Sequence, residues 1–330
     1  MSFFAVLLAL LLEQSKPFPG GHRVHDAVAG WFGVVTRNFD AGRPHHAAVV
    51  WLGAVAVPTI VALGVHLLIG RLGFFAVLAF DILVLYVALG FRQFSHYFTA
   101  IRDALERGDD DGARRHLAQW QHVDTADLPR AELLRQVIGH ALLAAHRHVF
   151  GVFFWFALLS AIGLGPVGAV FYRLAEFAPR YWQRASREPG SAVNPRLLEW
   201  SRRWFSWIDH VPARLTAAGF AIVGNFEEAV ASWRRDAALW PQANDGVLLA
   251  AASGAVGVHL APAPMARTLA VAPYVDGIAP EESPGVAGSA ATGAASLQTA
   301  HLQSMVGLVW RSVVLWMLLL ALLTLANVLG

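Results

Sequence analysis

An uncharged apolar stretch at residues 47–70 constrains this sequence more than any other feature. A helix of that length crosses the hydrocarbon core of a bilayer, which needs about 20 residues. Residues 72–91, interrupted only by Asp81, and residues 305–329 have the same character. Because Arg71 alone separates 47–70 from 72–91, these two segments are expected to form a tight helical hairpin. The sequence therefore predicts a membrane protein with three full spans.

Two further apolar segments are partial or uncertain. Residues 3–12 are too short for a full span, and we interpret them as a partly inserted anchor in preference to a short buried helix. Residues 150–172 are interrupted by Gly163-Leu164-Gly165-Pro166. Glycine and proline free backbone groups that must be buried in protein or face water. A plain span and a broken or re-entrant helix both remain open for 150–172.

The charged residues concentrate in two polar segments, 92–147 and 173–304. Apolar residues recur at helical spacing after residue 92, which predicts amphipathic helices. Since arginine-rich segments favour the cytoplasm, 13–46 and 92–147 are placed inside and Arg71 outside; 173–304 also prefers the cytoplasm. The predicted fold is an all-α, polytopic helical membrane protein with short broken or re-entrant helices and amphipathic cytoplasmic helices. A single membrane domain is expected over 1–330.

Composition excludes several classes of function. The chain has no Cys, which rules out disulfides, thiolate metal sites and cysteine nucleophiles. A formal net charge of +2 provides no basic field of the kind that nucleic-acid-binding proteins show. P-loop, GxSxG and HExxH motifs are missing from the sequence, and the glycines around Gly163-Leu164-Gly165-Pro166 lie within an apolar run, where a phosphate-binding loop is not expected. The expected partners are the lipid bilayer and an unidentified small molecule, without nucleic acid; a homo-oligomer is left open.

Asp81 is an acidic residue in the middle of a predicted span. A carboxylate at that depth is costly unless it is paired or neutral. Asp81 is therefore interpreted either as a proton or cation site, which is the basis of a weaker transporter hypothesis, or as a protonated side chain bonded to another helix. His66 and Arg71 are the other ionisable residues of this hairpin.

Three other polar groupings were considered as sites. Arg92, His96, Thr99 and Asp103 share one helix face, which could bind an anionic headgroup or phosphate but is more often a solvated or interfacial face. His146, Arg147 and His148 are not read as a metal site, because histidines two positions apart do not share a helix face. Asp209 to Arg214 places an acid, a histidine and an arginine at the mouth of an apolar segment.

Several blocks together resemble a known superfamily. They are LERGDDDGARRHLAQWQHVDTADL (105–128), GPVGAVFYRLAEF (165–177), DHVPARLTA (209–217) and ASGAVGVHLA (252–261). With the flanking hairpin and the C-terminal span, they resemble the CobD/CbiB–AmpE superfamily of bacterial inner-membrane proteins over nearly the whole chain. The resemblance implies a multi-pass protein of the bacterial inner membrane.

The superfamily has two branches with different implied functions. In the CobD/CbiB branch, the resemblance implies adenosylcobinamide-phosphate synthase of cobalamin biosynthesis, which uses ATP and Mg²⁺ to join an amino-alcohol or its phosphate to adenosylcobyric acid. In the AmpE branch, it implies an inner-membrane protein linked to regulation of β-lactamase induction. No cofactor is expected in the second case, and Mg²⁺ and ATP only in the first.

The sequence is expected to lie closer to the AmpE branch. Where the synthase carries a Glu-Asn-x-x-Asp-Gly block, this chain reads His146-Arg147-His148-Val149-Phe150-Gly151, so only the glycine is kept. Carboxylates are the groups that hold Mg²⁺, so the loss favours a regulatory or sensor role with diverged or lost synthase chemistry. The alternative is the synthase itself. The expected ligand pocket comprises Arg92, His96, Asp103, Asp124, Asp209 and Arg214.

Overall fold

A computed structural model describes residues 2–15, 21–40, 46–89, 91–121, 128–187, 193–261 and 299–329. The described residues form helices and turns, without a strand among them. The helices are α1 Ser2–Ser15, α2 Gly21–Phe39, α3 His46–Gly70, α4 Phe74–Ala88, α5 Phe91–Glu106, α6 Asp110–Gln121, α7 Arg130–Ala145, α8 Gly151–Ala161, α9 Val167–Ala185, α10 Pro195–Ile208, α11 His210–Val223, α12 Phe226–Asp236, α13 Ala243–Val256 and α14 Thr299–Leu329. A π-helical turn, His146–Phe150, joins α7 to α8, and a short 3₁₀ turn, Ala237–Leu239, follows α12.

Three helices are long and apolar enough to cross a membrane: His46–Gly70, Arg130–Ala161 and Ala300–Ala326. The prediction of a helical membrane protein is confirmed. Two predicted boundaries differ from the structure. The last part of the predicted polar segment 92–147 belongs to the candidate span Arg130–Ala161. Buried apolar side chains such as Leu134, Ile138 and Leu142 outnumber the charged residues there.

The span predicted at 72–91 is shorter in the structure. Its helix, α4, has 15 residues and ends at Ala88 because Leu89 takes an extended conformation. A new helix, α5, begins at Phe91. The tight hairpin with α3 is present: the chain turns at residues 71–73, where Gly73 adopts φ 100°, a conformation that favours glycine.

The segment 150–172 is broken, as one of the two sequence interpretations predicts. Gly163 and Gly165 both adopt positive φ and end α8, and α9 starts at Val167. The two helices pack closely, since a Cβ on Gly168 would lie 2.0 Å from the backbone oxygen of Trp155. A continuous helix through 150–172 is therefore excluded.

The chain divides into two compact units. The first comprises residues 1–99, 144–216 and 312–330. Within it α9 is central and packs against α3, α8 and α10. The aromatic side chains Phe32, Phe153 and Trp182 are fully buried there, and Trp182 donates a hydrogen bond to Thr36.

The second unit comprises residues 100–143 and 217–311. Its tightest packing joins α12 to α13. A Cβ on Gly254 would lie 2.1 Å from the backbone oxygen of Glu228, so small residues set this distance. A cavity of about 350 Å³ lies in this unit between α7 and the α12–α13 region, with Arg135, His140 and Trp240 among its lining residues. One membrane domain over 1–330 stays a prediction.

Candidate functional site

The π-helical turn between α7 and α8 places His146 in a fully buried position. A π turn inserts an extra residue into the helix and often marks a functional site. The His146 ring has a polar partner on each side: Nε2 lies 2.9 Å from Oδ1 of Asp209, and Nδ1 lies 3.0 Å from Oγ1 of Thr216. A buried imidazole with both nitrogens engaged has a fixed orientation.

Asp209 and Thr216 come from the DHVPARLTA block. Asp209 caps the C-terminus of α10, and Pro212 occupies the first turn of α11, where a proline costs no helical hydrogen bond. Seven residues span nearly two helical turns, so Asp209 and Thr216 lie on the same side of this junction. Both side chains are buried, with 1% and 0% of their surface exposed.

Tyr172 of α9 completes the buried cluster. Its hydroxyl donates a hydrogen bond to Oδ1 of Asp209 at 2.8 Å. Burial raises the pKa of the Tyr172 phenol well above its usual range, and the Asp209 carboxylate raises it further, so the hydroxyl keeps its proton. The ring packs on Gly151, where a Cβ would lie 2.2 Å from it.

The Thr216 hydroxyl lies between two groups of this cluster. It has one proton and two acceptors within reach, the backbone oxygen of Pro212 at 2.9 Å and Nδ1 of His146. On the other side of the ring, Nε2 of His146 faces Oδ1 of Asp209, which also accepts the hydrogen bond from Tyr172. One carboxylate oxygen of Asp209 is therefore the point where these side chains meet.

A second polar group lies on α9, one turn beyond Tyr172. Glu176 is buried and accepts hydrogen bonds from Arg173, at 2.9 Å, and from Arg180. Both arginines bond to Oε2, while Oε1 is buried and has no hydrogen-bond partner among the described residues. Arg147 lies close enough to act electrostatically on both Tyr172 and Arg180. This face of α9 is therefore rich in positive charge.

The hairpin of α3 and α4 holds a third buried pair. His66 Nδ1 lies 3.6 Å from Oδ1 of Asp81, and both side chains are at most 10% exposed. Gly165 packs directly against the His66 ring, where a Cβ would lie 2.2 Å from it. Asp81 thus faces His66, one of the two other ionisable residues that the sequence places in this hairpin.

The structure places the six residues of the predicted pocket unequally. The side chains of Arg92 and His96, and the whole of Asp124, lie outside the described residues. Asp103 belongs to the second unit and pairs with Arg102 at 2.8 Å. Asp209 and Arg214 share the first unit, where partial burial lowers the pKa of Arg214 and the Asp209 carboxylate opposes that effect. The pocket as a whole stays a prediction.

Sequence reasoning missed most of the partners of Asp209. His146 appeared in a rejected metal interpretation and in the altered block 146–151, and neither Tyr172 nor Thr216 was assigned a role. The available signal was the spacing within DHVPARLTA, which puts Thr216 two helical turns after Asp209. The described residues contain no group of three or more His, Asp or Glu side chains placed to hold a metal ion.

The fold and the buried cluster define a helical membrane protein that fixes a His-Asp-Tyr arrangement among its central helices. Comparison with known proteins then identifies its family. The sequence model of the CobD/Cbib protein family matches residues 2–179. The chain is 31% identical over 328 residues, covering 96% of both proteins, to the cobalamin biosynthesis protein CobD of Stutzerimonas stutzeri. This chain belongs to the CobD/CbiB family.

Other relatives match about half of the chain. The cobalamin biosynthesis protein CobD of Chromobacterium violaceum is 32% identical over 180 residues, or 54% of each protein. The protein of the same name from Mycobacterium tuberculosis is 28% identical over 184 residues, or 53% of this chain and 54% of the relative. No solved structure matches the chain.

These comparisons correct the functional prediction. The AmpE-like regulatory interpretation, with its link to β-lactamase induction, is wrong, because the matching family and the full-length relative both carry the CobD name. The interpretation depended on the loss of acidic residues at 146–151. The structure shows that this segment instead supplies His146 to the carboxylate of Asp209. A changed residue type there does not remove the polar site.

Proposed function

We propose that this protein is the adenosylcobinamide-phosphate synthase of cobalamin biosynthesis, an enzyme of the bacterial inner membrane with several spans. The observation that carries the proposal is the end-to-end similarity to a protein named cobalamin biosynthesis protein CobD, over 96% of both chains. A match of that extent includes all the blocks around the buried cluster. The membrane topology supports it, since three helices are suited to cross a bilayer.

The proposed reaction joins a substrate carboxylate to a substrate amine. The new bond is the amide C–N bond, and the carboxylate loses one oxygen, which leaves on phosphate as ATP is converted to ADP. The ammonium group of the amine gives up two protons, one to the phosphate and one to the medium. A group that accepts a proton near the amine is therefore required.

Glu176 does not fit as a ligand of Mg²⁺ carried by ATP. Mg²⁺ in such sites is held by one or two carboxylates, with phosphate oxygens and water as the other ligands. The Glu176 carboxylate is buried and bonded by Arg173 and Arg180, whose positive charges would repel a divalent cation. When bound, Mg²⁺ would reduce the negative charge on the phosphates of ATP.

The buried cluster has a positioning role in this proposal. His146 and Tyr172 hold the Asp209 carboxylate, and Thr216 holds the other side of the His146 ring. These contacts connect the π turn, α9 and the α10–α11 junction. Asp209 and Arg214 also belong to the ligand pocket that we propose near the boundary of the membrane. The remaining partners of the protein would be the bilayer and the small-molecule substrates, with self-association left open.

The test is amide formation by the purified, full-length protein. The protein in detergent or in nanodiscs is incubated with adenosylcobyric acid, aminopropanol phosphate and MgATP, and the coupled product is detected by mass spectrometry. The Stutzerimonas stutzeri relative, tested under the same conditions, serves as the reference. Product that depends on ATP, on Mg²⁺ and on the intact protein is expected. No product, while the reference protein forms it, would overturn the proposal.

A matched pair of variants connects the activity to the cluster. Asp209→Asn removes the charge that His146 and Tyr172 bind, whereas His210→Asn changes the exposed neighbouring side chain. Activity should fall strongly in the first variant and be kept in the second. Equal activities of the two variants would show that the reaction does not depend on the Asp209 carboxylate.

A further inference from the structure

One face of α9 carries more positive charge than its own carboxylate neutralises. Arg173, Glu176 and Arg180 are spaced by three and four residues and so share a helix face. The Glu176 side chain is 1% exposed, whereas Arg173 and Arg180 are 24% and 49% exposed. The carboxylate is therefore buried beneath two guanidinium groups that reach the surface of the first unit.

The donors of these arginines are mostly unused. Glu176 is the one hydrogen-bond partner of either Arg173 or Arg180 within the described part of the chain. A guanidinium has five N–H donors, so both arginines have several left for a ligand. Arg147 adds a third positive charge nearby. The next carboxylate, Asp209, is already bound by His146 and Tyr172.

A purely structural ion pair accounts poorly for this arrangement. Such a pair usually matches charges and satisfies both oxygens of the buried carboxylate. Here two arginines bond to the same oxygen, Oε2, and the buried Oε1 lacks a partner among the described residues. The two guanidinium groups keep more N–H donors than Glu176 uses, and a ligand with acceptor oxygens would bind those donors.

We propose that Arg173 and Arg180, with Arg147 as the supporting cation, bind the phosphate group of a substrate. Glu176 holds the two guanidinium groups in position through Oε2. Arginine is suited to this role because its planar fork donates two parallel hydrogen bonds to phosphate oxygens. The assignment rests on the proposed function, in which both the amino-alcohol phosphate and ATP carry such a group.

The experiment compares two ligands that differ only in a phosphate. Aminopropanol phosphate and aminopropanol are titrated by calorimetry into the full-length protein in phosphatidylcholine nanodiscs, and ATP is titrated separately. In the wild type, at least one phosphate-bearing ligand should bind, and aminopropanol phosphate should bind about tenfold or more tightly than aminopropanol if it is the occupant. The double variant R173Q/R180Q should lose that binding.

The control variant is R184Q, which removes one arginine charge from an exposed position on the same helix. It should bind like the wild type. A second double variant, R173K/R180K, keeps the charge but removes the forked geometry, and should bind at an intermediate level. Circular dichroism and size-exclusion elution identify a variant that fails to fold. If R173Q/R180Q fails to fold, R173K/R180K is compared with the wild type instead.

The possible outcomes separate the sources of the phosphate. Arginine-dependent binding of aminopropanol phosphate or of ATP supports the proposal and identifies the occupant. Phosphatidic acid in the nanodiscs tests a lipid headgroup: an arginine effect seen only on enrichment of this lipid overturns the substrate assignment. Equal binding by the wild type and R173Q/R180Q, or no binding of any phosphate ligand, also overturns it. The calorimetric measurement needs no turnover. A protein that fails the synthase assay can therefore still show whether these arginines bind a phosphate group.

Discussion

His146 Nε2 lies 2.9 Å from Oδ1 of Asp209, and neither side chain reaches solvent. The two residues are separated by 63 positions in the sequence. Tyr172 bonds to the same carboxylate oxygen, so one atom of Asp209 connects the π turn with α9. A buried carboxylate that accepts two hydrogen bonds is stabilised only while both donors are present. The cluster therefore depends on each of its members.

Removing the Asp209 side chain should destabilise the protein strongly. Asp209→Ala leaves His146 and Tyr172 buried without their acceptor, and breaking a buried pair in this way costs about 3–5 kcal/mol. Thermal unfolding in detergent, followed by intrinsic fluorescence, should show a clearly lower midpoint. His210→Ala, at the exposed neighbouring position, should unfold like the wild type. A similar midpoint for both variants would argue against the cluster.

The sequence predicted the membrane character and the class of fold well. Uncharged length identifies a span, because a bilayer tolerates few charges, and α3 and α14 follow directly from that rule. The helix Arg130–Ala161 was harder to recognise, since its first turns carry charges. The break at Gly163–Pro166 was visible, but glycine and proline alone left a plain span open. The structure excludes it through the positive φ of Gly163 and Gly165.

The candidate site was predictable only in part. Asp209 was identified because it precedes a distinctive VPARL block. Its partners, His146 and Tyr172, come from other helices, and one sequence does not show which residues meet across a fold. Glu176 and Arg173 lie within the 165–177 block and Arg180 just after it, yet the sequence alone assigned none of the three to a site. Long-range contacts are therefore what the structure adds.

A methyl group at Gly151 should disrupt the packing of the cluster. Gly151→Ala would place a Cβ 2.2 Å from the ring of Tyr172, so the ring must move away from Asp209. Overpacking of this kind costs about 1–3 kcal/mol. A lower unfolding midpoint and reduced synthase activity are expected. Gly64→Ala in α3 is the control, because nothing lies within 4 Å of its Cβ position; equal behaviour of the two variants would contradict the packing.

His66 and Asp81 should prove energetically coupled. Their side chains lie 3.6 Å apart in a buried position of the α3–α4 hairpin, so each variant should leave the other residue unpaired. A double-mutant cycle with His66→Ala and Asp81→Ala should give a coupling energy of about 0.5–3 kcal/mol. The unfolding midpoints of the wild type, both single variants and the double variant provide the measurement. Additive effects would show that the two residues act independently.

In the second unit, Gly254 should tolerate no side chain. The Cβ of Gly254→Ala would lie 2.1 Å from the backbone oxygen of Glu228, and a backbone atom of α12 moves only with its helix. The contact between α12 and α13 should therefore weaken, with a loss of about 1–3 kcal/mol. Gly307→Ala in α14 has open space and should be neutral or slightly stabilising. Limited proteolysis and thermal unfolding of the two variants test the difference.

The orientation of the α3–α4 hairpin can be measured directly, because the natural chain has no Cys to give background labelling. Arg71 lies in the exposed turn after α3, and Arg37 is exposed near the end of α2. The positive-inside tendency places the turn outside and α2 in the cytoplasm. In spheroplasts, a membrane-impermeant maleimide should label R71C at once and R37C only after permeabilisation. Inside-out vesicles should show the opposite order. Labelling of R37C in intact spheroplasts, with R71C protected, would reverse the orientation of the hairpin. The same label at R184C would then show on which side of the membrane the two proposed phosphate-binding arginines of α9 lie. Labelling of R184C in intact spheroplasts would place them on the side opposite to the cytoplasmic ATP pool.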